Sequence, residues 1–145
     1  MGIHPLVGAW RLVSWENRRA DGQVTYPLGP DAVGYIIYTS DGHVSVAIMR
    51  TKRSRFAVDD LLGGTIEERA MAEASYVSYA GTYEVQKGMV VHHVEVSLFP
   101  NWVGAVQERF YECTGDRLSL HTTPMLLGGL EQRGYLIWER TSAGH

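Results

Sequence analysis

Four side chains in the second half of the chain have the chemistry to move a proton or to hold an anion: Tyr83, His92, Arg109 and Tyr111. The unperturbed pKa of a histidine lies close to neutral pH, so His92 is a candidate acid or base. Arg109 could hold a carboxylate or the charge of a developing enolate. If the protein is an enzyme, we expect His92, Arg109 and Tyr111 to be its catalytic residues. The alternative is a hydrogen-bonded network of the same groups that orients a ligand without converting it.

A turn signal predicts that Tyr83 and His92 share one face of a sheet. Lys87-Gly88 allows the positive φ angles of a two-residue hairpin turn. Residues directly opposite one another in a hairpin lie on the same face. With this turn, Tyr83 opposes His92, while His93 points to the other face.

A second hairpin extends this polar face. With Gly115-Asp116 as the turn, Tyr111 opposes Leu120. If the leucine is interior, then Tyr111, Arg109 and Gln107 are interior too, because side chains alternate along a strand.

Such a cluster is not expected inside a fully packed core. Burying an unpaired guanidinium or imidazole costs several kcal/mol, so these groups need partners, water or a ligand. We therefore predict a cavity, with Trp102 of the segment Phe99-Pro100-Asn101-Trp102 either lining its mouth or packing down on it. The predicted ligand-binding residues are Tyr35, Tyr83, His92, Gln107, Arg109, Tyr111 and Trp102.

The third hairpin, around Asp41-Gly42, has two interpretations. With a two-residue turn, the interior face carries Tyr35, Ile37, Val44, Val46 and Ile48. Both faces are apolar, however, and a slip of one residue would exchange Tyr35 for Tyr38.

The elements that must position these residues are short strands. Strand patterns recur at residues 9–16, 34–39, 43–49, 82–86, 89–98, 105–113, 117–122 and 134–140. Their short connections predict one antiparallel up-and-down β-barrel of about eight strands, because closure removes exposed edges. Capping-box spacing of Thr65 and Glu68 and an apolar stripe predict one α-helix over about 65–79, across a barrel mouth or against its wall.

Composition excludes several classes of protein. With 145 residues, 45% hydrophobic and 20% charged, the chain suits a single domain over 1–145. A net charge of −3 does not favour a basic face, so we expect no nucleic-acid partner. The sequence has no run of eighteen apolar residues, so we expect no membrane partner either. The single Cys113 and the lack of a signal peptide favour a cytoplasmic location.

Metal and cofactor motifs are not found in the sequence. His92 and His93 point to opposite faces of a strand and cannot both bind one ion, so we expect no metal site. Gly63-Gly64 and Gly128-Gly129 lack the strand-to-helix context of a phosphate or dinucleotide loop, so we expect no cofactor.

Two short motifs lie near the two ends of the sequence, Gly8-Ala9-Trp10 and Trp138-Glu139-Arg140. They resemble the corresponding motifs of the calycins, which include the lipocalins and fatty-acid-binding proteins. The segments Tyr26-Pro27-Leu28-Gly29 and His92-His93-Val94-Glu95 are similar to those of the bacterial lipocalin-like domain family. The resemblance implies that Trp10 plugs one barrel end and that Arg140 packs over its ring. It also implies small-molecule binding, with some similar barrels acting on natural products.

Three functions follow as hypotheses. The first is lipocalin-like binding of a small, largely apolar ligand whose polar or acidic end is received by Arg109 and His92. The second is a cofactor-independent isomerase or cyclase that acts on a natural-product-like substrate in the same cavity. The third is a homodimeric interaction module, with Ile36, Tyr38 and Ala47 as candidates for an exposed apolar face.

Overall fold

The computed structural model describes residues 4–141, which form one antiparallel sheet closed into a barrel. The strands are β1 (Gly8–Arg19), β2 (Val24–Thr25), β3 (Val33–Tyr38), β4 (His43–Met49), β5 (Tyr76–Gln86), β6 (Met89–Ser97), β7 (Val106–Thr114), β8 (Arg117–Thr122), β9 (Met125–Leu127) and β10 (Leu130–Arg140). Eight of them run around the barrel in chain order, and β1 closes it by pairing with β10. The short strands β2 and β9 flank β1 and β10. The predicted eight-stranded up-and-down barrel is confirmed.

The barrel interior follows from alternation along each strand. On β8, Leu118, Leu120 and Thr122 are buried, and the residues between them are more exposed. The largest fully buried side chains include Trp10, Trp138, Tyr38, Leu6, Ile36, Leu118 and His92.

One end of the barrel is plugged, as the resemblance to the calycins implies. Trp10 is fully buried, and its Nε1 donates a hydrogen bond to the Leu6 carbonyl oxygen at 2.9 Å. The Arg140 guanidinium lies 4.2 Å from the centroid of the Trp10 ring. Gly8, at the start of β1, has a φ of 136°, a conformation that side-chain-bearing residues rarely adopt, so this position favours glycine.

The helix is shorter than predicted. It spans Ile66–Ala74, with Thr65 as N-cap and the expected capping box to Glu68. Residues 76–79 belong to β5 instead, where Tyr76 pairs with Met49 of β4. None of the helix side chains is buried, so the apolar stripe does not pack on the barrel wall. No helix within the described residues is long and apolar enough to cross a membrane.

The interior face predicted for the third hairpin is correct on β4, where Val44, Val46 and Ile48 are buried, and wrong on β3. Tyr38 pairs with Val44 and is 1% exposed, whereas Tyr35 pairs with Ala47 and is 46% exposed. The connection is a three-residue loop, since Thr39 N donates to His43 O, with Gly42 at φ 95°. One extra loop residue moves the pairing by one position. The two faces of β3 are therefore exchanged relative to those of β4.

The changed register of β3 also affects the apolar surface suggested for a homodimer. Ile36 and Tyr38 are each 1% exposed, so they are core residues rather than a contact surface. Tyr35 and Ile37 occupy the outer face in their place.

A bulge changes the inward face of β6 near its end. Gly81 pairs with Val94, but Ala80 pairs with Val96, so Glu95 is an extra residue. Strict alternation from the buried His92 and Val94 would place Val96 inside the barrel, but with the bulge Val96 is 62% exposed. A Cβ at Gly81 would lie 1.9 Å from the His93 carbonyl oxygen, so the bulge depends on this glycine.

Candidate functional site

A small cavity lies inside the barrel, and Ile36, which pairs with Trp10 of the plug, is part of its wall. Its volume is about 60 Å³, room for a few water molecules. The walls are aliphatic and aromatic, with few polar groups. They are formed by Trp15, Ile36, Val46, Ile48, Val77, Tyr79, His92, Trp102, Arg109, Leu120, Thr122, Met125, Leu136 and Trp138.

His92 is held on both sides by tyrosine hydroxyls. Its Nε2 lies 2.7 Å from Tyr38 Oη, and its Nδ1 lies 2.6 Å from Tyr79 Oη. Burial, aided by the nearby Arg109 charge, lowers the pKa of His92 to about 3, so the imidazole is neutral. A neutral imidazole has one N–H and one acceptor nitrogen, so one tyrosine accepts from His92 and the other donates to it.

The two tyrosines are neutral as well. Burial raises the pKa of the Tyr38 and Tyr79 hydroxyls, and in both cases the Arg109 charge opposes this effect. The chain Tyr38–His92–Tyr79 is therefore an uncharged hydrogen-bonded network beside a cation.

Arg109 carries the charge of the site. The residue is 8% exposed and lies opposite Thr122 on β8. Its guanidinium donates to Gln107 Oε1 at 3.1 Å and to the Glu108 carbonyl oxygen at 3.0 Å. Within residues 4–141 no carboxylate oxygen comes within 4.0 Å of it. Arg109 is thus a buried cation that lacks a counter-ion in the described structure.

Trp138 adds a second unsatisfied group. The residue is 1% exposed and lines the cavity, and its Nε1 has no hydrogen-bond partner among the described residues. Buried donors in native proteins are nearly always paired, so an exception in a cavity wall calls for an explanation.

The structure brings four of the predicted residues together. His92, Arg109 and Trp102 line the cavity, and Gln107 supports Arg109 by accepting its hydrogen bond. Trp102, in the short 3-10 helix Pro100–Trp102, packs edge-on against Tyr79 with 5.8 Å between ring centroids. The inward direction predicted for His92, Gln107 and Arg109 agrees with their burial.

The other three predicted residues lie outside the cavity. Tyr83 opposes His92 as expected, but its hydroxyl donates to the Thr39 carbonyl oxygen at 2.8 Å. Tyr111 packs against the His4 ring, with centroids 6.2 Å apart, on the side of the N-terminal segment. Tyr35 is on the outer surface for the reason given above.

Neither tyrosine that holds His92 was among the predicted site residues. Tyr38 was expected inside only if the hairpin register slipped by one residue, and Tyr79 was placed at the end of the helix. The residues from Tyr76 to Thr82 are rich in aromatic and β-branched types, which is the signal that could have identified a strand there.

His93 lies on the other face of β6 from His92, as alternation requires. Its Nε2 is 3.8 Å from Glu84 Oε1 at the surface. Across the described chain, no three His, Cys, Asp or Glu side chains are grouped as they would be around a metal ion.

The model of the lipocalin-like domain family matches residues 7–141, almost the whole chain. The chain belongs to this family. A relative in Aspergillus oryzae, described as a 4'-hydroxy-3'-methoxypropiophenone carrier protein, is 36% identical over 106 residues, which are 67% of this chain and 96% of that protein. Among solved structures, a mutant of the fluorescent protein UnaG overlays with a TM-score of 0.42 at 11% identity, covering 96% of this chain and 98% of that one.

Family membership and a carrier relative support small-molecule binding by this lipocalin-like barrel in general terms. The relative is fungal, whereas the resemblance in the sequence was to bacterial members.

Proposed function

We propose that this protein is a carrier that holds a small, largely apolar molecule inside the barrel and binds its polar or acidic end through Arg109. The observation that supports this most directly is the buried Arg109 guanidinium with no carboxylate within 4.0 Å among residues 4–141. A buried charge without a partner is strongly unfavourable, and an anionic or acceptor-rich ligand would provide one.

In this proposal His92 is a positioning residue rather than a charged anchor. Its imidazole is neutral and both of its nitrogens face tyrosine hydroxyls. Its contribution is to hold Tyr79, which lines the cavity beside Arg109. This arrangement gives His92 no free nitrogen to take a proton from a ligand, which favours binding over the isomerase or cyclase alternative.

The ligand for which the Aspergillus relative is named suggests the class of molecule. A hydroxylated, methoxylated aryl ketone has a flat apolar body and weakly acidic and acceptor groups. The cavity offers matching surfaces, because the rings of Trp15, Trp102 and Tyr79 line it together with one cation.

Such a ligand needs more room than the described cavity provides. The 60 Å³ volume is below the ~300 Å³ at which small-molecule pockets usually begin. Trp102 is the wall residue best placed to move, because it is only partly buried and sits on a short helix between two strands. We propose that ligand entry displaces Trp102 from Tyr79.

The test is a binding titration of the relative's propiophenone, followed by tryptophan fluorescence or calorimetry. Arg109→Met keeps much of the side-chain volume and removes the charge, so we expect its dissociation constant to rise by about tenfold or more. Arg117→Met removes a charge from the exposed start of β8 and should bind like wild type. Unchanged affinity in Arg109→Met would overturn the proposed anchor.

Turnover would decide between carriage and the second candidate function. In the carrier, the propiophenone is recovered unchanged after long incubation with stoichiometric protein. A new product seen by mass spectrometry, and lost in His92→Gln, would instead support an isomerase or cyclase.

A further inference from the structure

The four tryptophans of the chain differ in how their indole N–H groups are satisfied. Trp10 Nε1 donates to Leu6 O at 2.9 Å, and Trp15 Nε1 donates to Asn17 Oδ1 at 2.8 Å. Trp102 is only partly buried. Trp138 alone among the described residues has a buried side-chain N–H with no partner. Leaving such a donor unpaired is unfavourable by an amount comparable to a hydrogen bond.

Trp138 lies deeper in the barrel than Arg109. Strand β8 lies between the strands that carry these two residues. Trp138 of β10 pairs with Leu118 of β8, and Arg109 of β7 pairs with Thr122, four residues further along β8. At the rise of a β-strand, their backbone positions are separated by roughly 13 Å along β8. Both residues nevertheless line the same cavity, with Leu120 and Leu136 also in its wall.

The two donors differ in charge as well as in depth. Arg109 is a cation and suits an acidic or anionic group, whereas an indole N–H is a neutral donor and suits a neutral oxygen. A charged ligand group beside Trp138 would lie away from the only buried cation found within residues 4–141.

We infer that Trp138 is a second ligand anchor, and that the barrel takes an aromatic molecule with two polar ends: an acidic group at Arg109 and a neutral carbonyl or ether oxygen at Trp138. This inference rests on the proposed function, because it adds a second contact to the same bound ligand. It makes Trp138 a specificity-determining residue that distinguishes ligands with the far oxygen from those without it.

The experiment measures four dissociation constants. The proteins are wild type and Trp138→Phe, which retains an aromatic ring and removes the N–H. The ligands are the propiophenone and the same phenol with a propyl group in place of its propionyl group. For each protein, the dissociation constant of the propyl analogue is divided by that of the propiophenone. Loss of packing in the variant affects both ligands, so the wild-type ratio divided by the variant ratio isolates the contact between the N–H and the ketone.

We expect wild type to prefer the ketone by roughly tenfold more than Trp138→Phe does, as the loss of one buried hydrogen bond requires. A ratio of ratios near one would overturn the second anchor and leave the proposed carrier function intact. If wild type binds neither ligand, the carrier function for this class fails, and the second anchor fails with it.

A measurement on wild type covers the case in which Trp138→Phe does not fold. The indole N–H resonances of a ¹⁵N-labelled sample can be followed as each ligand is added. Trp10→Phe, Trp15→Phe and Trp102→Phe assign three of the four signals, and the fourth belongs to Trp138. Saturation with the ketone should move the Trp138 signal downfield, and the propyl analogue should not. Equal shifts with both ligands would contradict the contact.

Discussion

The two halves of the barrel use the same pair of residue types in opposite ways. At the plugged end, Arg140 lies over Trp10, and its guanidinium donates to Val7 O at 2.9 Å and to Pro5 O at 2.8 Å. Its Nε is also 3.5 Å from a carboxylate oxygen of Asp116. At the cavity, Arg109 has no such carboxylate within the described chain.

The tryptophans show the same contrast. Trp10 and Trp138 are equally buried, at 0% and 1% exposure, but only Trp10 has a hydrogen-bond acceptor for its indole N–H among the described residues. Burial alone therefore does not separate a structural residue from a binding residue. The difference lies in whether the polar atoms of the side chain are already paired within the chain.

The largest effect expected from this comparison is on stability at the plugged end. Trp10→Ala removes a fully buried indole and leaves a cavity, so we expect the free energy of unfolding to fall by about 3–5 kcal/mol. Urea denaturation measures it. The loss should leave the ligand affinity of the remaining folded protein unchanged; a fall below about 1 kcal/mol would mean that Trp10 does not hold this end together.

The next effect is an acid dependence that originates at the cavity. The pKa of His92 is about 3 in the folded protein, against a value near 6.5 in an unfolded chain. Between about pH 6.5 and pH 3, His92 is therefore protonated in the unfolded state but not in the folded state. The free energy of unfolding falls as the pH drops through this range. The slope due to His92 is at most about 1.4 kcal/mol per pH unit.

His92→Gln tests this dependence, because glutamine remains polar between the two tyrosines but does not titrate. We expect its free energy of unfolding to vary less than that of wild type between pH 7 and pH 4. His43→Gln is the matched control, since it makes the same substitution at an exposed histidine outside the cavity. An NMR titration in which the His92 ring protonates near pH 6.5 would refute the buried neutral imidazole.

Exchanging each arginine for methionine tests whether the two halves are functionally distinct. Arg140→Met removes donors to two backbone carbonyls and a cation over an indole, so we expect a loss of about 1–3 kcal/mol in stability with binding unaltered. Arg109→Met removes an unpaired buried charge, so its stability should equal or exceed that of wild type while its binding weakens. If both variants lost stability without losing affinity, or both lost affinity without losing stability, the two halves of the barrel would not be functionally distinct.

The sequence predicted the parts of the fold that depend on local turn chemistry. The Lys87-Gly88 and Gly115-Asp116 turns led to the observed opposition of Tyr83 with His92 and of Tyr111 with Leu120. At Asp41-Gly42, the same residue types form a three-residue loop. Glycine at a positive φ suits both loop lengths, so composition could not choose the register.

The site was less predictable than the fold, because its defining property is the absence of partners. Alternation along a strand can indicate that Arg109 points inward. It cannot show that no carboxylate from seven other strands comes near, because that depends on the closed barrel. Tyr79 was missed for a related reason: the apolar spacing of the helix continues through Val77, and pairing with β4 begins at Tyr76.

The smallest effect separates the two faces of the β3–β4 hairpin and so tests its register. Tyr38→Phe removes the hydroxyl 2.7 Å from His92 Nε2 and leaves that buried nitrogen without its partner, at an expected cost of about 1–2 kcal/mol in the free energy of unfolding. Tyr35→Phe, three residues earlier on the exposed face, loses only a 3.3 Å contact with Arg11 and should change stability by less than about 0.5 kcal/mol. Chemical denaturation of the two variants measures the difference. The reverse order would restore the two-residue turn and place Tyr35 inside the barrel, and His92 would then face the cavity with only Tyr79 to hold it.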